Sequence, residues 1–467
     1  MSASNTKQVR REFDPAASEA QLLERARRLT RAATTRGADE AEVYAHQGNS
    51  ITVTFEKGDL KLAQVDEGAS LGLRVFDEKR LGFSSSNQVA DADLDQTAED
   101  ALALARLNSP EDENRLAKPR ELTGELLTAP ASLCGFAVEE VVLLAKSITE
   151  QILAHDERIS LETATVSTSC LSRVLVTSTG VERTESDAAL SVSLMGMAIE
   201  GSDVGGFHVA GENLRDPSKF DAMAKTLAAD FSRIIVGNLG AQSSESYKGA
   251  VVFSPEALIS IFLSPVLSAT SAIAVQRGRS ALGKKLGESI ANPVLTMIDD
   301  PTDLGLGGAT AWDREGQPTC RSAIVENGVL KKFLYNGYAA NVEGKQSTGH
   351  AQGGPRSTPG LGIHSLVVAP GDGGDLNALL ASMGRGLFVE RFSGSVDAMT
   401  GDFSGVAKSA RWVEDGRIMH SVKETLLAGN VFDLLVGDLV LGSKSLRRRG
   451  SFRAPFAKVG GISVTAG

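Results

Sequence analysis

The chain has 467 residues, a formal net charge of −10, 42% hydrophobic residues and 23% charged residues. That length exceeds one simple core, so two or three domains of an ordinary globular protein are expected. The acidic balance argues against general nucleic-acid binding, which needs a basic face, and the sequence holds no run of about 18 apolar residues to cross a membrane.

The high glycine count (48) and low aromatic content (5%) favour turns and strands over a helical bundle. The start, MSASNTKQVRREFDP, lacks the apolar core of a signal peptide, so a cytoplasmic location is expected. Cys134, Cys170 and Cys320 are odd in number and far apart. They suggest neither a disulfide framework nor a CxxC zinc site.

Residues 1–17 are polar and expected to be mobile. From Ser18 to Arg36, Ala20, Leu22, Leu23, Ala26, Leu29, Ala32 and Ala33 repeat with the period of an amphipathic helix. The period then falls to two, giving four or five strands joined by turns such as Lys57-Gly58-Asp59. Asp91 opens a helix to Leu107, and residues 109–135 read as a connector. A helix from Val138 to His155, further strands, and a helix started by Asp216-Pro217 and ending near Val236 repeat the plan. Residues 18–236 thus form an N-terminal domain with two lobes, about 18–108 and 136–236. A Gly/Ser/Asn-rich linker leads to a second domain, 247–467.

That domain opens with the apolar strand Ala250–Phe253 and a helix start, Ser254-Pro255-Glu256. The helix that follows, to about Arg277, is apolar on nearly every face and therefore buried. Ser260, Ser264 and Ser268 fall at i, i+4 and i+8, a single polar stripe. Read from the residues, these are small hydroxyls that bond back to the helix and allow close packing. Pro265 removes one backbone bond, so a kink near Ile261 is expected. Beyond Gly287 the pattern alternates and turns, with no strong helix until Asp375–Met383. The fold class is α+β: N-terminal helices with an antiparallel sheet, then a β-rich domain around one buried helix.

Other chemical candidates are weaker. Gly68-Ala69-Ser70-Leu71-Gly72 matches GxSxG, but LRVFDE follows it as a strand where a nucleophile elbow needs a helix. His350, His364 and His420 all lie in the second domain, and the first two flank a Gly/Pro-rich loop where they could bind a metal or simply sit in the core. Asp299, Asp300, Asp303, Asp313 and Glu315 suit acid–base work or a cation, yet DDP and WDREG are also turn chemistry. Leu361, Gly362, Ile363 and His364, after Pro359 and Gly360, read as an edge strand able to pair with an extended peptide through its main chain. Lys444, Arg447, Arg448, Arg449, Arg453 and Lys458 form the one basic run, read as a solvated loop or partner contact.

Three stretches, SPEALISIFLSPVLSATS, IDDPTDLGLGGATAWDREGQPTCRSAIVENGVLKKFLYNGYAANVEGKQSTGHA and TGDFSGVAKSARWVEDGRIMHSVKETLLAGNVFDLL, resemble the TldD/PmbA family in order and content. EVYAHQGNSITVTFEKGDLK and GLRVFDEKRLGFSSSN are similar to its N-terminal pattern. The resemblance covers roughly residues 20–467. It implies a pair of homologous subunits: a TldD-like zinc peptidase with HExxxH on this helix and a late Cys ligand, and a PmbA/TldE-like partner without them. Here no histidine lies between His208 and His350, and no cysteine follows Cys320, so the resemblance implies that Ser260, Ser264 and Ser268 mark a reshaped, degenerate metal pocket. The resemblance therefore places the chain on the PmbA/TldE side, with no catalytic, cofactor or metal residue of its own and zinc expected in the partner. The implied role is support for a peptidase that processes or degrades unfolded peptides. The alternatives are a stand-alone hydrolase using the C-terminal histidines or a serine, and a homodimeric peptide-binding regulator; a homodimer in isolation fits any of the three.

Overall fold

The computed structural model describes residues 13–87 and 91–467, the side chains of residues 91, 92 and 444–449 excepted. Most of the stretch expected to be mobile lies outside the described residues. Its last part does not fit that expectation, because helix α1 (Pro15–Thr35) begins three residues before Ser18. Asp14 supplies the cap by accepting from the Ala17 amide at 3.1 Å, and Pro15 fills the first turn, where no N–H is needed.

Strands β1 (Glu40–Glu56), β2 (Asp59–Asp77), β3 (Arg80–Ser86), β4 (Ile159–Thr177), β5 (Glu182–Glu200), β6 (Asp203–Val204) and β7 (His208–Leu214) make one seven-stranded sheet. Both halves of the N-terminal region contribute to it, because β1 pairs with β4 from Glu42↔Thr177 to Glu56↔Thr163. The β1–β2 turn works because Lys57 and Gly58 both take positive φ, 53° and 90°. Helices α1 and α2 (Asp91–Leu107) bury Leu22, Leu29 and Leu94 against Val43 and Leu73. Helices α4 (Val138–Leu153) and α5 (Phe220–Val236) bury Ile148, Ile152 and Phe231 against Val53, Val166 and Leu190. Just ahead of α4 in the chain, helix α3 (Ala131–Cys134) carries Cys134 onto Cys170 of β4, and the two form a disulfide. Sequence spacing did not suggest this pair; the connector brings the two residues, 36 apart, together by folding back over the sheet.

In the second domain, strands β8 (Tyr247–Phe253), β15 (Gly386–Val396), β16 (Asp402–Glu414), β18 (Thr425–Asn430) and β20 (Phe452–Thr465) pair in a ring, closed by β20 against β8. The segment after β8 enters this core. It is not the single helix expected over 254–277. Helix α6 (Pro255–Leu258) runs into a π-helical turn (Ile259–Leu263), then α7 (Ser264–Ala269), and restarts after Ser271 as α8 (Ala272–Gln276). Pro265 has no N–H to give the ordinary i−4 bond and its ring crowds that carbonyl. The chain widens instead, so the Ser264 amide donates to the Ile259 carbonyl, five residues back. Phe262 from this turn packs edge-on against Phe253 and Phe403, with ring centroids 5.3 and 5.7 Å apart.

Between β8 and β15 the chain adds short strands: β9 (Met297–Asp299), β10 (Ser322–Glu326), β11 (Val329–Leu330), β12 (Ala351–Gln352), β13 (Gly360–Leu361) and β14 (Leu366–Val368). It also holds a helix that periodicity missed, Gly337–Val342, too short to show a period and capped by Asn336 accepting from Ala339 at 2.9 Å. The basic run is not a loop: it lies in the hairpin of β19 (Leu439–Arg449) and β20. Within it, Arg453 bonds Asp303 at 2.8 Å, and the side chains of Lys444 and Arg447 to Arg449 lie outside the described residues. Among the described residues, no helix is long and apolar enough to cross a membrane.

Candidate functional site

A cleft of about 700 Å³ opens where the two domains meet. One wall is sheet: Leu171 and Arg173 of β4 and Asp187 of β5. A second is the broken helix, which presents Ile259, Ser264, Leu267, Ser268 and Ser271. A third is Leu361, Gly362, Ile363 and His364, with Gln352 beside them. The tertiary fold thus brings two members of the serine stripe, Ser264 and Ser268, to one cleft with the edge segment, two features separate in sequence. Ser264 and Ser268 face the cleft; Ser260 is exposed elsewhere and its hydroxyl donates to the Ala257 carbonyl at 3.2 Å.

Among the described residues, β13 pairs with β12 alone, in a two-stranded sheet, Ala351↔Leu361 and Gln352↔Gly360. Beyond the strand, the Gly362 amide donates to the His350 carbonyl at 3.1 Å, and Gln352 Nε2 donates to the Ile363 carbonyl at 3.3 Å. The His364 and Ser365 amides both donate to Asp299 Oδ1, at 3.0 and 2.7 Å. Gly308 makes this packing tight: a Cβ there would lie 1.8 Å from the His364 carbonyl oxygen. Leu361–His364 all line the cleft.

Two of the three C-terminal histidines meet. The rings of His350 and His364 are 5.8 Å apart, and His350 Nε2 faces Asp299 Oδ2 at 3.2 Å, both groups buried. His420 sits apart on β17 (Arg417–Ser421), opposite Trp412. His364 has both ring nitrogens engaged, Nε2 with the Gly349 carbonyl at 2.7 Å and Nδ1 with Gln352 Nε2 at 3.0 Å. The first contact makes Nε2 the donor and the second makes Nδ1 the acceptor, which is the neutral imidazole. Burial holds its pKa below the ordinary histidine value, against the pull of nearby Asp299.

These residues do not fit zinc. The helix offers the cleft an isoleucine, a leucine and three serines, whereas zinc sites are built from imidazole, thiolate and carboxylate. The cleft's one imidazole is spent on Gly349 and Gln352, and its carboxylate, Asp187, is held by Arg215 Nη2 at 2.7 Å. Among the described residues, no group of three or more His, Cys, Asp or Glu side chains is placed to hold a metal.

The acidic cluster works as turn and junction chemistry. Asp313 Oδ1 accepts from the Glu315 and Gln317 amides, both at 2.9 Å, and Oδ2 from Ala351 at 3.0 Å. Burial, then the neighbouring Glu315 charge, push its carboxyl up to about 7 against those three bonds. Glu315 reaches Arg74 at 3.0 Å, which bonds Glu42 at 2.7 Å, which bonds Arg314 at 2.9 Å. This buried chain of charges ties the second domain to β1 and β2. The GxSxG match lies inside β2, with no helix after it. Its last glycine serves packing: a Cβ on Gly72 would meet the Pro355 carbonyl oxygen at 2.0 Å.

Sequence reasoning missed Arg173, Asp187 and Gln352 as cleft residues, since each sits in an ordinary strand. Pro265 was the one legible sign of the widened turn.

The description "PmbA/TldA metallopeptidase C-terminal domain" matches residues 246–466, and "PmbA/TldA metallopeptidase domain 1" matches 41–105. Metalloprotease PmbA of Escherichia coli O157:H7 is 28% identical over 439 residues, covering 91% of this chain and 93% of that one. The Metalloprotease PmbA homolog of Haemophilus influenzae is also 28% identical, covering 86% and 87%. In fold, the chain is similar to TldE from Thermococcus kodakarensis, with a TM-score of 0.87, 23% identity, and coverage of 94% and 100%.

Proposed function

The chain belongs to the PmbA/TldD metallopeptidase family, and on that premise we propose that it is a PmbA/TldE-like partner subunit without zinc chemistry of its own. In this reading it pairs in the cytoplasm with a TldD-like homologue bearing HExxxH, and helps that subunit process unfolded peptides. The observation that carries the reading is the pair Ile259 and Ser264. HExxxH sets its two histidines five residues apart, and a π-turn stacks residues at that spacing on one face. Ile259 and Ser264 have that spacing, are joined by the π-type bond, and both line the cleft. Neither side chain can ligate zinc as imidazole does.

The second part of the proposal concerns the peptide. Among the described residues, Leu361–His364 has β12 as its one strand neighbour and lines the cleft, an arrangement to which an extended peptide can add as a strand. Main-chain pairing is indifferent to side-chain identity, which suits substrates with no fixed fold.

The test compares this chain, the HExxxH homologue and their mixture on a carboxymethylated, unfolded polypeptide, with zinc measured in each. The expected result is an inert, zinc-poor chain, an active mixture, and weaker peptide capture for Ile363→Pro. A chain that alone carries one equivalent of zinc and cleaves the polypeptide overturns the reading.

A further inference from the structure

A second cavity, of about 650 Å³, lies beside the cleft, and Asp187 and Gly307 line both. Arg215 ties together the segments that carry these two shared residues. Its Nε and Nη2 donate to Asp187 Oδ1 and Oδ2 at 2.8 and 2.7 Å, and its Nη1 donates to the Leu304 and Leu306 carbonyls at 3.1 and 2.6 Å. The lining is apolar: Leu126, Leu127, Pro130, Leu214, Leu304 and Leu306, of which Leu126 and Leu304 are 48% and 60% exposed. Apolar side chains gathered in a concave site mark a ligand groove, where scattered surface leucines do not. The charges in the lining are mostly cancelled. Asp187 pairs with Arg215 at 2.7 Å, Asp216 with Lys219 at 3.5 Å and Asp303 with Arg453 at 2.8 Å. Among the described residues, only Glu125 of this lining has no opposite charge in ion-pair range. The cavity also holds bare strand edge. The Ser186 amide of β5 donates to the Leu127 carbonyl at 3.3 Å, and β7 begins only at Leu190↔Leu214. Between these points residues 187–189 have β4 on one side and no described strand on the other, and Asp187 and Ala189 line the cavity.

We propose that cleft and cavity form one binding track, in which the cavity takes an apolar, uncharged segment of the same extended peptide that pairs with Leu361–His364. The inference rests on the reading that the cleft holds peptide, and it adds a side-chain preference to that reading. Continuity decides the occupant. Asp187 and Gly307 border both spaces, so a chain held in the cleft continues past them into the cavity. There the gap in β5 offers its main chain an open edge, and the leucines offer its side chains an apolar surface. A charged residue in the segment would be desolvated with no free counter-charge for a carboxylate to meet, and an acidic one would also face Glu125.

Fluorescence anisotropy on the full-length chain tests this. The probes are a short, neutral, labelled Val/Ser peptide that fills the cleft alone, and the same peptide extended at one end or the other by about five leucine-rich residues, roughly 17 Å of strand. The short peptide is expected to bind, and one of the extended forms to bind about tenfold tighter. Leu126→Asp combined with Leu304→Asp, both at exposed positions, is expected to remove that gain and leave the short peptide's affinity unchanged, which also reports that the variant is folded. Glutamate in place of leucine in the extension is expected to remove the gain as well. Equal affinity for the short and both extended peptides overturns the track and leaves the cleft reading standing. So does a gain that survives in the double variant or with the glutamate extension. A short peptide that does not bind overturns the cleft reading, and the track with it.

Discussion

The Ser264 amide donates to the carbonyl of Ile259, five residues back, and both residues look into the same cleft. A regular α-helix would turn them about 140° apart, since each residue advances about 100°. The widened turn removes that offset, so the backbone is set for a two-ligand grip that its side chains do not provide. Ile259→His with Ser260→Glu and Ser264→His is expected to create zinc affinity. At zinc one hundred times above its dissociation constant, the substituted chain gains about 2.7 kcal/mol of stability. Thermal unfolding with and without zinc measures this; a parent chain stabilised equally would show that the gain comes from elsewhere.

His364 gives the protein a signed pH dependence. Its folded pKa lies below the ordinary histidine value because it is buried. The unfolded chain therefore binds this proton more tightly, and the stability attached to neutral His364 is complete above about pH 6.5 and is lost as pH falls through the depressed folded value. Asp313, whose carboxyl is pushed up to about 7, contributes with the opposite sign over this range, so the decline due to His364 is expected as the difference in slope between the parent and His364→Gln in urea unfolding from about pH 8 to about pH 5. An unchanged slope in the variant would remove His364 as its cause.

Gly72 lies where β2 passes under the Pro355 backbone, with only 2.0 Å available to a Cβ. Gly72→Ala is expected to destabilise the chain by about 1–3 kcal/mol, the cost of forcing a packed backbone apart. Gly68→Ala is the control, because nothing lies within 4 Å of its Cβ position. Equal urea midpoints for the two variants would refute the packing role.

The Cys134–Cys170 disulfide fixes the connector to the middle of β4. Reduction, or Cys134→Ser, is expected to cost about 2–4 kcal/mol by freeing a loop in the unfolded chain. Cys320→Ser is expected to cost nothing, since Cys320 is exposed and unpaired. Peptide mapping under non-reducing conditions identifies the bond directly; a free thiol at both positions would contradict it.

Much of the architecture was legible residue by residue. Period-two runs marked the long strands, Asp216-Pro217 and Ser254-Pro255 marked helix starts through local capping, and the all-round apolar stretch after Ser254 marked a buried helix. Those signals act within a few residues, where backbone geometry and side-chain spacing alone set the outcome. The missing histidines also depended on sequence only, because no fold makes imidazole from isoleucine or serine.

Other features depended on residues far apart in the chain. The closing of β20 on β8, the meeting of His350 with His364 over Asp299, the Cys134–Cys170 bond and the placing of Ser264 in one cleft with Leu361–His364 all join segments whose separation hides them from any local pattern. The buried chain of Arg74, Glu42, Arg314 and Glu315 is the same kind of fact: each charge is tolerable in the core only because distant partners neutralise it. Sequence determined which groups the cleft could contain. Tertiary packing decided which of them face it, since burial, opposing charge and strand register are properties of neighbours in space.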